Sequence, residues 1–156
     1  AKGPFHYEDM VKIPCIVRMP GNGPAGRTSD ALQSLVDLAP TFLDFCGLPI
    51  PRRMTGVSQK VVWSGEAETA RDCVLVENRH QPTRLNLRTR IDRRWKITVY
   101  YDADYGEIFD LENDPDELHN LWDDPTAKDL KSELLLRFMQ AEMGREPLPM
   151  PRITFA

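Results

Sequence analysis

Two runs of alternating apolar and polar residues constrain the fold of this chain more than any other feature. They occupy residues 85–91 and 95–101, and Asp92-Arg93 lies between them. A period of two is typical of a strand that buries one face. A short polar connection between two such runs predicts an antiparallel hairpin. Residues 73–77 and 107–111 predict one further short strand on each side of it.

An amphipathic helix is predicted to follow this sheet. Asp124 suits the N-cap and Pro125 suits the first helical position. At helical spacing, one face then carries Ala127, Leu130, Leu134, Phe138 and Ala141. Gly144 is expected to end the helix. Residues 61–144 are therefore predicted to form a small antiparallel sheet packed with a helix, and residues 145–156, with three prolines, an extended tail.

The first 60 residues have a different pattern. Two short apolar runs, 13–19 and 31–36, predict buried strands, and a helix is predicted from an Asp37 N-cap to Gly47 at its end. Buried strands of this kind need neighbouring strands on both sides. Residues 1–60 are therefore expected to be the end of a larger α/β domain.

Composition excludes several classes of function. The formal net charge of −4 disfavours a general nucleic-acid binder. No apolar run approaches the roughly 20 residues that cross a bilayer, so a membrane partner is not expected. Three widely spaced cysteines favour neither a disulfide framework nor a zinc site. The first residues contain no initiator Met and no signal-peptide pattern, which suggests entry into the middle of a longer sequence. The compartment, cytoplasmic or periplasmic, is left open.

Four groups of short motifs follow one another along the chain. They are residues 2–8 (Lys-Gly-Pro-Phe-His-Tyr-Glu) with 13–14 and 18–21; residues 35–44 with 46–48; residues 88–89 with 95–97; and residues 106–111 with 114–115 and 120–121. In this order and spacing they resemble the sulfatase family, within the larger group that shares the alkaline-phosphatase fold. The resemblance implies an α/β fold of that kind and covers the chain up to about Gly144.

The resemblance also implies a chemistry. In the family, a Cys/Ser-x-Pro-x-Arg motif yields formylglycine, whose hydrate attacks sulfur, and calcium held by Asp and Asn or Gln binds the sulfate oxygens. Cys15, Cys46 and Cys73 all lack the proline at the second following position. Calcium and formylglycine are therefore expected in the intact enzyme, with none bound by this chain.

Lys2 is the one catalytic residue that the resemblance transfers to this chain. It matches the family's lysine before the Gly-Pro…Tyr-Glu stretch, which contacts a sulfate oxygen. A fixed ammonium stabilises the negative charge on a transferring sulfuryl group.

Other polar residues are expected to be structural. His6 is predicted to be a surface or supporting residue, and Tyr7 and Glu8 are predicted to fix their loop. His80 and His119 have no metal partner at a suitable spacing. The basic cluster on the hairpin is predicted to be a solvated face: Arg84, Arg88, Arg90, Arg93, Arg94 and Lys96. The acidic residues Asp110, Asp114, Asp116 and Glu117 lack EF-hand spacing and predict a turn.

These observations lead to one expectation and two alternatives. The intact protein is expected to hydrolyse a small-molecule sulfate ester, with this chain paired to an N-terminal portion of the same protein and inactive alone. A phosphonate monoester or phosphodiester hydrolase of the same superfamily is the first alternative. A non-catalytic interaction or oligomerisation module, such as one forming a homo-oligomer, is the second.

Overall fold

A computed structural model of the chain describes residues 3–19, 25–80 and 84–145, with the His80 side chain left aside. Lys2 and the predicted tail beyond Arg145 lie outside the described residues. The chain divides into two compact units. The sheet unit comprises residues up to Val17 with Asp72–Ala141, and the helical unit comprises Arg18–Arg71 with the residues from Glu142 onward.

The sheet unit is built on a four-stranded antiparallel meander. Its strands are β1 (Val74–His80), β2 (Leu85–Ile91), β3 (Trp95–Tyr100) and β4 (Gly106–Asp110), and they pair in that order. The predicted hairpin is confirmed as β2 and β3, and the predicted flanking strands are confirmed as β1 and β4.

One face of the sheet is apolar and supports the C-terminal helix α4 (Lys128–Gly144). Ile97 and Ile108 from this face form a buried cluster with Leu134 and Phe138 of α4. Because side chains alternate along a strand, Ile97 and Ile108 share this face through their direct pairing across β3 and β4. The predicted packing of the helix on the sheet is confirmed.

The start of α4 follows the capping pattern expected from the sequence. Asp124 accepts a hydrogen bond from the backbone N–H of Thr126 at 2.7 Å, and Pro125 opens a 3-10 turn that leads into the helix. The helix ends at Gly144, as predicted. The cap accepts from a backbone N–H that has no partner within the helix, and this bond fixes the residue at which the helical segment begins.

The opposite face of the sheet is also buried, and we call it the polar face because it carries buried polar side chains beside apolar ones such as Leu87 and Phe109. Through the strand register it carries Thr89, Thr98, Lys96 and Glu107, each at most 3% exposed. Residues 3–11 cover it, ending in the single-turn helix α1 (Glu8–Val11). The sheet unit is therefore layered, with an apolar interface under α4 and a polar interface under residues 3–11.

The outer edge of β4 is closed by a side chain. Asn120 Oδ1 accepts from the backbone N–H of Ile108 at 2.9 Å, and its Nδ2 donates to the carbonyl of Gly106 at 3.0 Å. The N–H of Leu121 donates to the carbonyl of Ile108 at 2.9 Å. These bonds occupy groups that an edge strand would otherwise present to another chain.

The helical unit contains a 3-10 turn (Leu35–Asp37), α2 (Leu38–Phe45) and α3 (Lys60–Trp63). Gly47 ends α2 as predicted, with a left-handed φ of 67°. Its N–H and that of Leu48 bond back to the carbonyls of Asp44 and Leu43 at 3.0 and 2.9 Å. This pair of bonds is a Schellman motif, which favours glycine at its left-handed position.

Asp37 organises the helical unit from a position that is 1% exposed. Its carboxylate accepts from the N–H groups of Ser34 and Val57 at 2.9 and 2.8 Å and from the Gln59 side chain at 3.1 Å. It also forms an ion pair with Arg71 at 2.9 Å. Asp37 occupies the predicted N-cap position of α2, but its side chain makes no cap bond to that helix and instead joins distant segments.

Two predicted strands are not formed. Residues 13–19 and 31–34 have no regular secondary structure, and Leu35–Asp37 is a 3-10 turn. Ile16 is 95% exposed, so this apolar run is not buried in the described structure. A strand requires hydrogen-bond partners along its length, and the four described strands pair with one another.

The domain division into residues 1–60, 61–144 and 145–156 stays a prediction about the whole protein. The compact units differ from it, because residues 3–17 associate with the sheet and residues 61–71 with α2. Within the described parts of the chain, no helix has both the length and the apolar composition needed to cross a bilayer.

Candidate functional site

The residues that follow Lys2 in sequence are fixed to the polar face of the sheet. Asn78 on β1 donates to the carbonyl of Pro4 at 2.8 Å, and Tyr7 donates through its hydroxyl to Glu107 on β4 at 2.9 Å. The N–H of Glu8 donates to Glu117 at 2.6 Å. Three separate anchors therefore define the path of residues 4–8.

Lys96 lies at the centre of this interface and is 1% exposed. Its ammonium donates to the carbonyl of His6 at 2.9 Å. It also pairs with the carboxylates of Glu8 and Glu117, each at 2.7 Å. An ammonium has three protons, so these three acceptors satisfy it completely. We call Lys96, Glu8 and Glu117 the ammonium cluster.

One prediction is corrected by this cluster: Lys96 was placed on a solvated basic face, but residues 3–11 cover it. Glu117 lies in the predicted turn, where its N–H donates to the Asp114 carbonyl at 3.1 Å, and its side chain is 4% exposed and belongs to the cluster. Alternation along a strand assigns residues to two faces, but it does not indicate which face is exposed to solvent. The local pattern therefore could not predict that residues 90 positions earlier in the sequence bury Lys96.

His6 is buried, at 5% exposed, where a surface or supporting position was expected. Its Nδ1 lies 2.8 Å from the Thr89 hydroxyl, which lies 2.8 Å from the Thr98 hydroxyl on β3. Burial, reinforced by the positive charge of Lys96, lowers the pKa of His6 to about 4. The imidazole is therefore neutral at physiological pH and serves as a hydrogen-bonding group in the interface.

Tyr7 is held in its neutral, donating form. Burial, together with its hydrogen bond to the Glu107 carboxylate, raises the pKa of Tyr7 to about 12. Glu107 also accepts from the Tyr105 hydroxyl at 3.1 Å. The prediction that Tyr7 and Glu8 fix their loop agrees with these contacts.

In the acidic loop after β4, carboxylates accept hydrogen bonds from backbone N–H groups and from Arg94. Asp114 accepts from the N–H groups of Leu118 and His119 at 3.0 and 2.8 Å. These bonds lower the pKa of Asp114. Asp110 accepts from Arg94 at 2.8 Å, and this hydrogen bond is the largest cause of a pKa lowered to about 2. This loop is a hydrogen-bonded turn, in agreement with the sequence interpretation.

The remaining sequence candidates are dispersed. His119 is exposed and lies 3.7 Å from Asp114. Cys15 and Cys46 are exposed, and Cys73 is partly buried. Of the basic cluster, Arg90 is buried beside Asp92 at 2.6 Å, whereas Arg94 is half-exposed. Among these described candidates, no nucleophile lies within hydrogen-bond distance of an activating base.

Metal binding was tested against the side chains that the structure describes. Across residues 3–19, 25–80 and 84–145, no group of three or more His, Cys, Asp or Glu could hold a metal ion. Both carboxylates of the ammonium cluster instead pair with Lys96. The described residues therefore do not fit a calcium site, and no catalytic step through calcium is derived from them.

The family model described as "N-sulphoglucosamine sulphohydrolase, C-terminal" matches residues 3–144. The chain belongs to the sulfatase family. The matching model describes the C-terminal portion of these proteins. The matched residues include both the ammonium cluster and the segment that the cluster holds.

Individual sulfatases support this assignment. An N-acetylglucosamine-6-O-sulfatase of Bacteroides thetaiotaomicron is 34% identical over 125 residues, which are 76% of this chain and 22% of the relative. A solved structure in complex with its substrate, D-glucosamine-2-N,6-O-disulfate, is 27% identical with a TM-score of 0.67, and the match covers 83% of this chain and 28% of that one. The chain thus spans about a quarter of the length of these relatives.

A third likeness supports the fold alone. The phosphonate monoester hydrolase of Agrobacterium radiobacter is 22% identical with a TM-score of 0.69, and it is matched over 83% of this chain and 29% of its own. Sulfatases and this hydrolase therefore share the architecture of the C-terminal region. The predicted alkaline-phosphatase-like α/β fragment with its small antiparallel sheet is confirmed.

Sequence reasoning missed the ammonium cluster as a unit. One available signal was an unusual composition: Lys96 stands opposite the apolar residues Ile91 and Phe109 on the same face of the sheet. Polar residues among apolar ones on a shared face indicate a covered polar interface, since buried polar groups require partners.

Proposed function

We propose that the intact protein hydrolyses a sulfate ester and that this chain supplies its C-terminal portion. The observation that carries this proposal is the family match over residues 3–144. The match begins next to Lys2, the residue whose ammonium is expected to contact a sulfate oxygen. The segment that follows Lys2 is anchored to the sheet at successive residues, which suits a segment that must present a charge in a fixed place.

The contribution of this chain to the chemistry is electrostatic. Lys2 would stabilise negative charge on the sulfuryl oxygens as the ester bond breaks. At about 4 Å and an effective dielectric constant of about 20, one such pair is worth roughly 4 kcal/mol before desolvation. Formylglycine and calcium are expected on other residues of the intact protein, because no cysteine or serine of this chain heads the Cys/Ser-x-Pro-x-Arg motif.

A sulfated amino sugar is the proposed substrate class. The two sulfatase-type relatives above act on, or are bound to, glucosamine derivatives that carry sulfate. The proposal is tested by measuring hydrolysis of N-acetylglucosamine-6-sulfate, para-nitrophenyl sulfate and a phenylphosphonate ester by the intact protein. We expect the two sulfate esters to be hydrolysed with the higher kcat/KM.

The alternative of a phosphonate monoester hydrolase is favoured by the fold of the Agrobacterium radiobacter enzyme. A kcat/KM that is higher for the phenylphosphonate ester than for both sulfate esters would establish this alternative. Hydrolysis of none of the three esters would favour the interaction module instead. Reading the gene upstream of Ala1 gives an independent check, since an open frame that encodes Cys-x-Pro-x-Arg is expected for the enzyme.

A further inference from the structure

The ammonium cluster connects the sheet to the segment that follows Lys2. Two of the three acceptors of Lys96, the His6 carbonyl and the Glu8 carboxylate, belong to that segment. The third, Glu117, also accepts from the Glu8 backbone N–H. Lys96 and Glu117 thus hold both the backbone and the side chain of residues 6–8.

Stability alone is a weak explanation for such a cluster. A buried ion pair contributes little net free energy, because removing its charges from water offsets most of their attraction. The buried apolar cluster of Ile97, Ile108, Leu134 and Phe138 packs on the other face, under α4. What the cluster supplies instead is a single permitted path for residues 6–8, since any shift would leave a buried charge unpaired.

Lys2, the proposed catalytic residue, precedes this path in the sequence. One residue, Gly3, lies between Lys2 and Pro4, so two covalent Cα–Cα steps join them and span at most about 7 Å. The Pro4 carbonyl is itself held by Asn78 at 2.8 Å. A catalytic group displaced by about 1 Å can lose about 100-fold in rate.

We propose that Lys96, together with Glu117, is a positioning residue for Lys2. It acts by fixing residues 6–8 on the polar face of the sheet, and it touches neither substrate nor the reacting atoms. This inference rests on the proposed function, because it assigns Lys2 a contact with the sulfuryl group.

The test is a double-mutant cycle in the intact protein. Lys96→Met removes the ammonium and keeps the apolar part of the side chain. Glu8→Gln removes the charge that residues 6–8 contribute to the cluster and leaves the Lys96–Glu117 pair intact. We expect each change to lower kcat for para-nitrophenyl sulfate about 10- to 100-fold with a much smaller change in KM. In a Lys2→Ala background, each should lower kcat by less than about 3-fold, because misplacing an absent ammonium costs nothing.

Arg94→Met is the matched control. Arg94 also pairs with two carboxylates, Asp110 and Glu112, but it is half-exposed and none of its described contacts reaches residues 3–11. Its kcat should stay within about 2-fold of the wild type. Hydrogen exchange adds a structural readout: the Glu8 amide should exchange at least about 10-fold faster in the Lys96→Met and Glu8→Gln proteins, and at the wild-type rate in Arg94→Met.

Two results would overturn the positioning role. One is an equal loss of kcat with and without Lys2, which would mean that the cluster acts independently of that residue. The other is an unchanged exchange rate of the Glu8 amide. If Lys96→Met does not fold, Glu8→Gln decides both readouts, since it leaves the pair within the sheet intact. An intact wild-type protein that hydrolyses no ester overturns the proposed function instead, and the exchange rates still decide whether the cluster fixes the segment.

Discussion

His6 is a basic group in surroundings that disfavour its charged form. It is covered on the polar face of the sheet. Its Nδ1 contacts the Thr89 hydroxyl, which contacts the Thr98 hydroxyl, and the Lys96 ammonium donates to the His6 carbonyl. Its pKa is lowered from 6.5 to about 4 as a result. Folding therefore selects the neutral imidazole.

The sheet unit should lose stability in mild acid because of His6. The stabilising effect of the lowered pKa is complete above pH 6.5 and declines as pH falls toward about 4, because the unfolded chain then binds a proton that the folded chain does not. Between pH 6.5 and 5 we expect a loss of about 2 kcal/mol in the free energy of unfolding, measured by urea denaturation.

The His6→Gln protein should lack this part of the pH dependence. His119→Gln is the matched control, since His119 is exposed and should leave the wild-type slope unchanged. An identical slope in the wild type and His6→Gln would contradict the assignment to His6.

At the scale of single elements, the first helical turn of α2 depends on residues far along the chain. Asp37 binds Val57, Gln59 and Arg71, so the loop after α2 returns to the beginning of the same helix. The Thr41 hydroxyl adds a further link, accepting from the N–H of Gln59 at 2.8 Å. The helical unit is therefore held by one buried carboxylate and its donors.

Removing this carboxylate should destabilise the helical unit strongly. Asp37→Ala leaves Arg71, which is 16% exposed, without its ion-pair partner and frees two backbone donors. We expect a cost of about 3 kcal/mol in the free energy of unfolding, measured by urea denaturation followed by circular dichroism. Asp44→Ala on the same helix is the control, because its pair with Lys60 is partly exposed, and it should cost several-fold less. Equal costs for the two variants would contradict the structural role of Asp37.

The elements that the sequence predicted correctly are those whose pattern is local. Residues 85–91 and 95–100 alternate, and α4 has an apolar stripe with a cap at Asp124, so each element could be inferred from its own residues. The predicted strand at residues 13–19 was wrong in the described structure because a strand depends on partners that its own sequence does not specify.

At the scale of the whole chain, family motifs and contacts agree where they overlap. Within the motif at residues 2–8, the sheet anchors residues 4–8, and the motif at 120–121 closes the edge of β4. The resemblance located both motifs, but the ammonium cluster could not be inferred, because Lys96 and Glu8 are far apart in sequence and an ion pair leaves no periodic pattern. The catalytic role of Lys2 stays a prediction.

The 156-residue chain alone should show no sulfatase activity. None of its cysteines or serines lies in the formylglycine motif, and its described side chains offer no metal site. We expect release of para-nitrophenol from para-nitrophenyl sulfate to equal the buffer blank, with circular dichroism confirming that the chain is folded. Turnover above the blank that is lost on Lys2→Ala would show that the chain holds a complete catalytic centre, contrary to this prediction.

The ammonium cluster joins residues that are far apart in the sequence, and this separation has a consequence for folding kinetics. The four strands are connected by short links and can pair in succession, whereas the Lys96 bond to His6 closes a loop across 90 residues. Closing a long loop costs entropy that is recovered only when its contacts form, so such contacts form late. Residues 4–8 are thus synthesised before the sheet and dock after it, and substitutions in the cluster should accelerate unfolding more than they slow refolding.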